Sequence, residues 1–182
     1  EQWLARDFFK ADRIKSLATS GDGAAWKIAR KEEFDPWKFA DGGGELDPSK
    51  AVASVNALAA LSFTDIALDV KSESFEKPRT FVADTYDNLS YTIKLAGKAG
   101  SDDYYLTVAV TGEPPRTRTP EKNEKAADKE RLDKQFEETQ KKLDARVKLE
   151  KSLAAWTYVV AAKTLEPLLK TRSDLVAAAR KK

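Results

Sequence analysis

A chain of 182 residues that contains neither histidine nor cysteine cannot form a Ser–His–Asp triad, a Cys–His dyad, a structural zinc site or an iron–sulfur cluster from its own residues. Lys and Arg number 32 against 30 Asp and Glu, and this net charge of +2 favours neither nucleic acid nor anionic lipid as a partner. With 41% hydrophobic and 34% charged residues, the composition is typical of a highly charged globular protein.

The first half of the chain, residues 1–72, is predicted to contain strands followed by a helix. Residues 1–11 are expected to form a short amphipathic helix, or the end of an element that begins upstream. Alternating apolar residues predict strands over 13–19 and 25–30, with a tight turn at 21–23, and a third short strand at 37–39. Asp47 suits the N-cap and Pro48 the first position of a helix over 48–61. A strand is expected over 65–70.

The second half, residues 73–182, shows a similar order. Strands are predicted over 79–86, 90–96, 104–110 and 156–160, with a two-residue hairpin turn at Asp87–Asn88. The proline-rich stretch 112–120 is a stiff linker, followed by a long helix over 121–151 and a C-terminal helix over 164–179 that Thr164 would cap. We therefore expect an α+β fold of mostly antiparallel strands, with helices packed on one face and two loosely similar halves.

The long helix is the most unusual segment. Residues 121–151 contain ten Lys or Arg and nine Asp or Glu, so the helix is nearly neutral and lacks a basic face for phosphates. A thin apolar stripe runs along it, formed by Leu132, Phe136, Leu143 and Val147. Two interpretations stay open: a solvated helix or one arm of a helical hairpin, or a helix that docks another protein through this stripe.

Two further patterns contain residue types that are found in binding or catalytic sites. The glycine-rich run from Asp41 to Asp47 precedes a helix, but its acids would repel a phosphate and its spacing does not match a calcium loop, so a turn with a capped helix is expected. Scattered acids offer paired carboxylates for glycoside hydrolysis, although they stand where turns need them. They are Asp65, Asp69, Asp84, Asp87, Asp102 and Asp103. No catalytic, metal-binding or cofactor-binding residue is assigned.

The sequence also resembles a known family. The segments that carry the resemblance are Trp26 to Arg30, Leu46 to Leu61, Tyr91 to Leu95, Trp156 to Val159 and Leu168 to Leu175. They are similar to the bacterial family called domain of unknown function 4340, over nearly the whole chain. The resemblance implies an extracytoplasmic domain behind an N-terminal membrane helix, with relatives that are auxiliary components of ABC-type transport systems linked to gliding motility. It implies no functional residues.

These observations lead to one main hypothesis of function and two alternatives. The apolar run 51–68 contains Asp65 and cannot span a bilayer, and a chain that begins at Glu1 without any methionine is expected to be processed or cut from a longer protein. We expect a non-catalytic interaction or scaffold domain on the periplasmic or extracytoplasmic face of the cytoplasmic membrane, held by an upstream anchor, with protein partners such as transport components. The alternatives are a carboxylate-based hydrolase of envelope glycans and a module that binds a peptide or an anion.

Overall fold

The computed structural model describes residues 8–70, 72–120 and 123–178, with only the backbone for 72 and 73. Within these residues, eight strands form one antiparallel sheet and four α-helices accompany it, which confirms the α+β class. The strands are β1 (Ile14–Ser20), β2 (Trp26–Ala29), β3 (Lys38–Phe39), β4 (Asp65–Ala67), β5 (Arg79–Thr85), β6 (Leu89–Gly97), β7 (Tyr104–Gly112) and β8 (Thr157–Val160). The helices are α1 (Pro48–Ala59), α2 (Ala126–Ser152), α3 (Ala162–Leu165) and α4 (Arg172–Leu175).

All eight predicted strands are present, and the sheet joins the two halves of the sequence. Its order is β3-β2-β1-β5-β6-β7-β8-β4. Strand β1 pairs with β5 across the boundary between residues 72 and 73, and β4 leaves the other strands of the first half to pair with β8 at the far edge. The two edge strands are also among the shortest, which limits pairing with other chains.

The helices cover one face of the sheet. Alternate residues of the central strands, such as Phe81, Tyr91 and Ile93, are 0% exposed. They share one hydrophobic core with residues from every helix, namely Leu58, Val147, Leu165 and Leu175. Each such large apolar side chain contributes roughly 1.5–3 kcal/mol on burial. The residues between them on the strands, such as Thr80, Thr92 and Thr107, stay partly exposed on the opposite face.

Helix α1 starts as the sequence predicted. The Asp47 carboxylate accepts hydrogen bonds from the backbone N–H groups of Ser49 and Lys50, and Pro48 occupies the first turn, where it has no N–H to leave unpaired. The helix ends at Ala59, two residues before the expected end. The glycine-rich run before it is therefore the capped turn that the sequence indicated.

Other predicted boundaries were wrong. The β5–β6 turn has three residues, 86–88, instead of two, because Asp84 pairs with Ser90 and Asn88 adopts φ +61°. Helix α2 begins at Ala126, since residues 123–125 are not helical and residues 121 and 122 lie outside the described chain. Of the first helix expected over 1–11, residues 8–11 are not helical, and residues 1–7 lie outside the described chain.

The expected C-terminal helix over 164–179 is two short helices, α3 and α4, and its last residue lies outside the described chain. Pro167 has no N–H to donate within a helix. Between the helices, the Lys170 carbonyl accepts hydrogen bonds from Trp26 Nε1 and Arg79 Nη2, and the Leu169 carbonyl accepts one from Arg79 Nη1. These contacts hold the chain to the sheet, and Thr171, not Thr164, caps the helix that follows.

A buried carboxylate anchors the C-terminal part of α2 to the sheet. Glu150 is 2% exposed, and it accepts hydrogen bonds from the Tyr91 hydroxyl at 2.6 Å and from the Lys10 N–H at 2.9 Å. Burial, with the hydrogen bond to Glu150, raises the pKa of the Tyr91 hydroxyl, so the tyrosine keeps the proton that it donates. Arg146 Nε lies 3.6 Å from the same carboxylate.

Candidate interaction site beside the charged helix

The apolar stripe predicted as a partner surface faces the protein itself. Leu143 and Val147 are 9% and 5% exposed and belong to the hydrophobic core, which corrects the prediction for these two residues. Leu132 and Phe136 are partly buried. The physical reason is simple: apolar residues three and four positions apart form the inner face of an amphipathic helix, and here the sheet is the surface that covers it.

The N-terminal half of α2 extends without full cover. The helix has 27 residues, about 40 Å at 1.5 Å per residue, and no side chain from Ala126 to Lys142 is fully buried. Residues 113–120, which we call the strap, run beside it. Arg118 of the strap makes ion pairs with Asp133 at 2.6 Å and with Glu124, and Arg116 bridges to Asp144 at 2.9 Å. Ion pairs with the strap thus hold this half-exposed part of the helix in place.

A cleft of about 790 Å³ lies between α2, the strap and one end of the sheet. We call it the strap cleft. Its size falls in the range of ligand-binding sites in proteins. Two members of the predicted stripe, Phe136 and Leu143, form part of its wall, together with Pro115. Its polar lining comprises Asp12, Arg13, Tyr86, Asp87, Thr117, Thr119, Thr139, Gln140, Lys142 and Arg146.

Charges of both signs meet at the sheet side of the strap cleft. Arg146 on α2 is 3.1 Å from the Asp12 carboxylate. Arg13 makes ion pairs with Asp87 on the β5–β6 turn and with Glu33 at 3.0 Å, and these partners raise the pKa of its guanidinium. Arg13 has φ +51°, a backbone conformation that is strained for a residue with a side chain. The cleft therefore combines paired acids and bases with three threonines, and it is not a purely cationic or anionic pocket.

Two residues that line the strap cleft each contain a buried polar atom without a hydrogen bond among the described residues. Gln140 Oε1 is buried and accepts no hydrogen bond among the described residues. Arg146 Nε is buried without a hydrogen bond as well, although Glu150 lies 3.6 Å away. A buried polar group without a partner costs about 1–3 kcal/mol. A hydrogen-bond donor that reached Gln140 Oε1 would relieve this cost.

The sequence did not indicate most of these residues. Asp12 and Arg146 are 134 positions apart, and Arg13 and Asp87 are 74 apart, so no local pattern joins them. A partial signal did exist, because Gln140 and Arg146 each lie three positions from the Leu143 of the stripe and therefore lie beside the inner face of the helix.

The acids considered for glycoside hydrolysis are spread over the sheet. Asp65 on β4 and Asp84 on β5 are separated by four strand spacings, about 19 Å. Asp87 precedes β6 and the pair Asp102–Asp103 follows it, so they lie beyond opposite ends of this nine-residue strand, about 30 Å apart. Asp84 accepts hydrogen bonds from the Ser16 and Ser90 hydroxyls at 2.9 Å. Asp69 is exposed and follows β4.

Other carboxylates serve as structural partners. Arg13 lowers the pKa of Glu33, and Arg172 lowers that of Asp41, with Gly43 N–H adding to it. The Thr171 hydroxyl and N–H lower the pKa of Asp174 in the capping box of α4. A lowered pKa suits an ion pair or a cap, whereas a general acid in glycoside hydrolysis needs a raised one. Within residues 8–70, 72–120 and 123–178, no group of three or more acids is arranged to hold a metal ion.

In the same part of the chain, no helix is both long and apolar enough to cross a membrane. Comparison of the chain with protein-family models, with curated proteins and with solved structures finds no match.

Proposed function

We propose that this chain is a non-catalytic interaction domain that binds an extended segment of a protein partner in the strap cleft. The observation that carries the proposal is the buried, unpartnered Gln140 Oε1 in the cleft wall. A peptide backbone supplies N–H donors at regular intervals, and such a donor would remove the cost of this unpaired acceptor.

The rest of the lining supports a peptide over a simple anion. The cationic groups Arg13 and Arg146 are already neutralised by Asp87 and Asp12, which leaves Lys142 as the cleft cation without an ion pair among the described residues. An anion would gain little from such a site. A peptide gains from both the hydroxyl groups of the threonines and the apolar surface of Phe136 and Pro115.

The partner class follows from the family resemblance. We propose that the domain stands on the extracytoplasmic face of the cytoplasmic membrane, behind an upstream anchor, and that its partner is a component of an ABC-type transport system. The segments quoted above, such as Trp26 to Arg30 and Leu168 to Leu175, support this proposal. The absence of histidine and cysteine supports a protein that acts by binding a partner and not by catalysis.

Site-specific photocrosslinking tests both the cleft and the partner. A photoreactive amino acid replaces Thr119 on the strap, where it lines the cleft, in the full-length protein in its native cells. We expect an adduct with an extracytoplasmic segment of a transport subunit, identified by mass spectrometry. Deleting the whole helix, by contrast, would remove Leu143 and Val147 from the core and would unfold the domain.

A matched pair of variants provides the control. Thr139→Trp fills the cleft with a large side chain, and Glu138→Trp places the same side chain on the exposed outer side of α2, one residue away. The adduct should disappear with Thr139→Trp and persist with Glu138→Trp. Equal adduct yields in both variants, or no adduct with a protein partner, would contradict the proposal.

A further inference from the structure

Phe34 is an exposed aromatic side chain that the fold does not explain. It lies in the loop between β2 and β3 and is 95% exposed, whereas the other seven phenylalanines are all at least partly buried. Isolated exposed apolar residues are common. A nearly fully exposed phenylalanine with acids on both sides is more unusual, and Glu32, Glu33 and Asp35 surround this one.

The loop that carries Phe34 is held in place by several contacts. The Asp35 N–H donates to the Glu32 carbonyl at 3.1 Å, and the Glu32 N–H donates to the Asp35 carboxylate at 3.0 Å. Glu33 is paired with Arg13, and its carbonyl accepts a hydrogen bond from Arg30, whose guanidinium stacks 4.8 Å from the Trp37 ring. An aromatic side chain on a fixed loop loses little backbone entropy on binding, which is a property of binding anchors.

A groove with matching properties lies on the other side of the strap. It measures about 570 Å³, and we call it the outer groove. Phe136 and Pro120 provide apolar surface in it. Two of its acids, Asp133 and Asp144, are already paired with Arg118 and Arg116. Three charges in its lining have no ion pair within the described residues, and these are Lys129, Glu137 and Lys141. The unpaired charge of the groove is therefore positive.

We propose that the Phe34 loop of one copy binds in the outer groove of a second copy. Phe34 would enter the apolar part of the groove, and the acids Glu32 and Asp35 would face Lys129 and Lys141. The occupant is a second copy because the chain itself exposes an aromatic side chain flanked by acids, and the groove offers apolar surface beside two lysines that have no ion pair within the described residues. The contact joins two different patches, so it forms either a reciprocal dimer or a longer series of copies.

This self-association goes beyond the partner binding proposed above and uses a different surface. The strap cleft and the outer groove share Thr117, Phe136 and Gln140, but neither Phe34 nor the lysine pair lines the strap cleft. Substitutions at Phe34 or at the two lysines therefore leave the cleft intact. A domain that failed to self-associate could still bind its partner, and the reverse also holds.

Sedimentation velocity over a concentration series tests the proposal with three variants of the full chain. Phe34→Ser removes the aromatic anchor, and Lys129→Glu with Lys141→Glu reverses the charge of the groove. Leu68→Ser is the matched control, because Leu68 is also exposed, at 78%, but lies beyond β4 at the far edge of the sheet. Thermal unfolding shows that each variant is folded, which we expect because all four side chains are exposed.

The wild type and Leu68→Ser should associate alike, and each of the other two variants should raise the dissociation constant at least about tenfold. Mixing those two variants should restore association in part, since the mixed pair has one contact in which both Phe34 and the groove lysines are intact. A wild type that stays monomeric at every concentration overturns the proposal. So does a Phe34→Ser variant that associates like the wild type, or a mixture that remains monomeric.

Discussion

The buried pair of Tyr91 and Glu150 allows a quantitative prediction about what fastens α2 to the sheet. Tyr91→Phe removes one hydroxyl and leaves the ring, so the volume of the core changes little. The Glu150 carboxylate, 2% exposed, then loses the 2.6 Å hydrogen bond from Tyr91 and keeps the one from the Lys10 N–H. Hydrogen bonds to charged groups contribute about 1.5–3 kcal/mol. We expect the free energy of unfolding to fall by about 2 kcal/mol.

Thermal and urea unfolding measure this loss. For a domain of this size, about 2 kcal/mol corresponds to a decrease in Tm of about 4–8 °C. Tyr105→Phe is the control, since the Tyr105 hydroxyl makes no hydrogen bond within the described residues and the side chain lies on the open face of the sheet. If Tyr91→Phe were no more destabilising than Tyr105→Phe, the carboxylate would not depend on the tyrosine, and the reasoning would be refuted.

Two more predictions concern α2 and the acidic loop. Leu143→Ala should lower the free energy of unfolding by about 2–3 kcal/mol, because Leu143 is a core residue. Leu149→Ala, at a position 45% exposed on the same helix, should lower it by less than about 1 kcal/mol. If urea unfolding gave similar losses for the two variants, the stripe would not face the core. Arg13 lowers the pKa of Glu33 in the folded state, so this pair stabilises the fold above the ordinary glutamate pKa of about 4.3 and loses that effect as the pH falls through the lower folded-state pKa. Glu33→Gln should therefore be less stable than the wild type at neutral pH, by less than about 1 kcal/mol, and the difference in Tm should vanish in acid; a difference that does not depend on pH would argue against the ion pair.

Local patterns in the sequence were sufficient for most elements of the fold. The alternation of apolar residues predicted strands such as β2, β3 and β6, since burial of one face of a sheet leaves a period of two in the sequence. The β-branched and aromatic composition of 156–160 predicted β8. The cap at Asp47 and the start of α1 were predicted for the same reason: the groups that interact there are two or three residues apart. The length of α2 was also nearly right, because its charge pattern and its lack of glycine and proline act within one helix.

Contacts between distant residues decided what the sequence could not. Trp26 and Arg79 bind carbonyls at 169 and 170, and they divide a segment that resembles one helix into two. Strand β4 crosses to β8, so the acids that seemed available as a pair lie far apart. The stripe on α2 was visible in the sequence, but only the sheet beneath it shows that Leu143 and Val147 belong to the core.

The absence of histidine and cysteine is a property of the sequence alone, and it excludes whole classes of chemistry because those side chains are required for them. The position of the strap cleft, by contrast, is a property of the tertiary structure. The strap cleft exists because Asp12, Asp87, the strap and α2 come together from four separate parts of the chain. Only in this folded arrangement is Gln140 Oε1 buried without a hydrogen bond among the described residues. Local residue types determine which interactions are available, and packing over long distances determines which of them are satisfied within the fold.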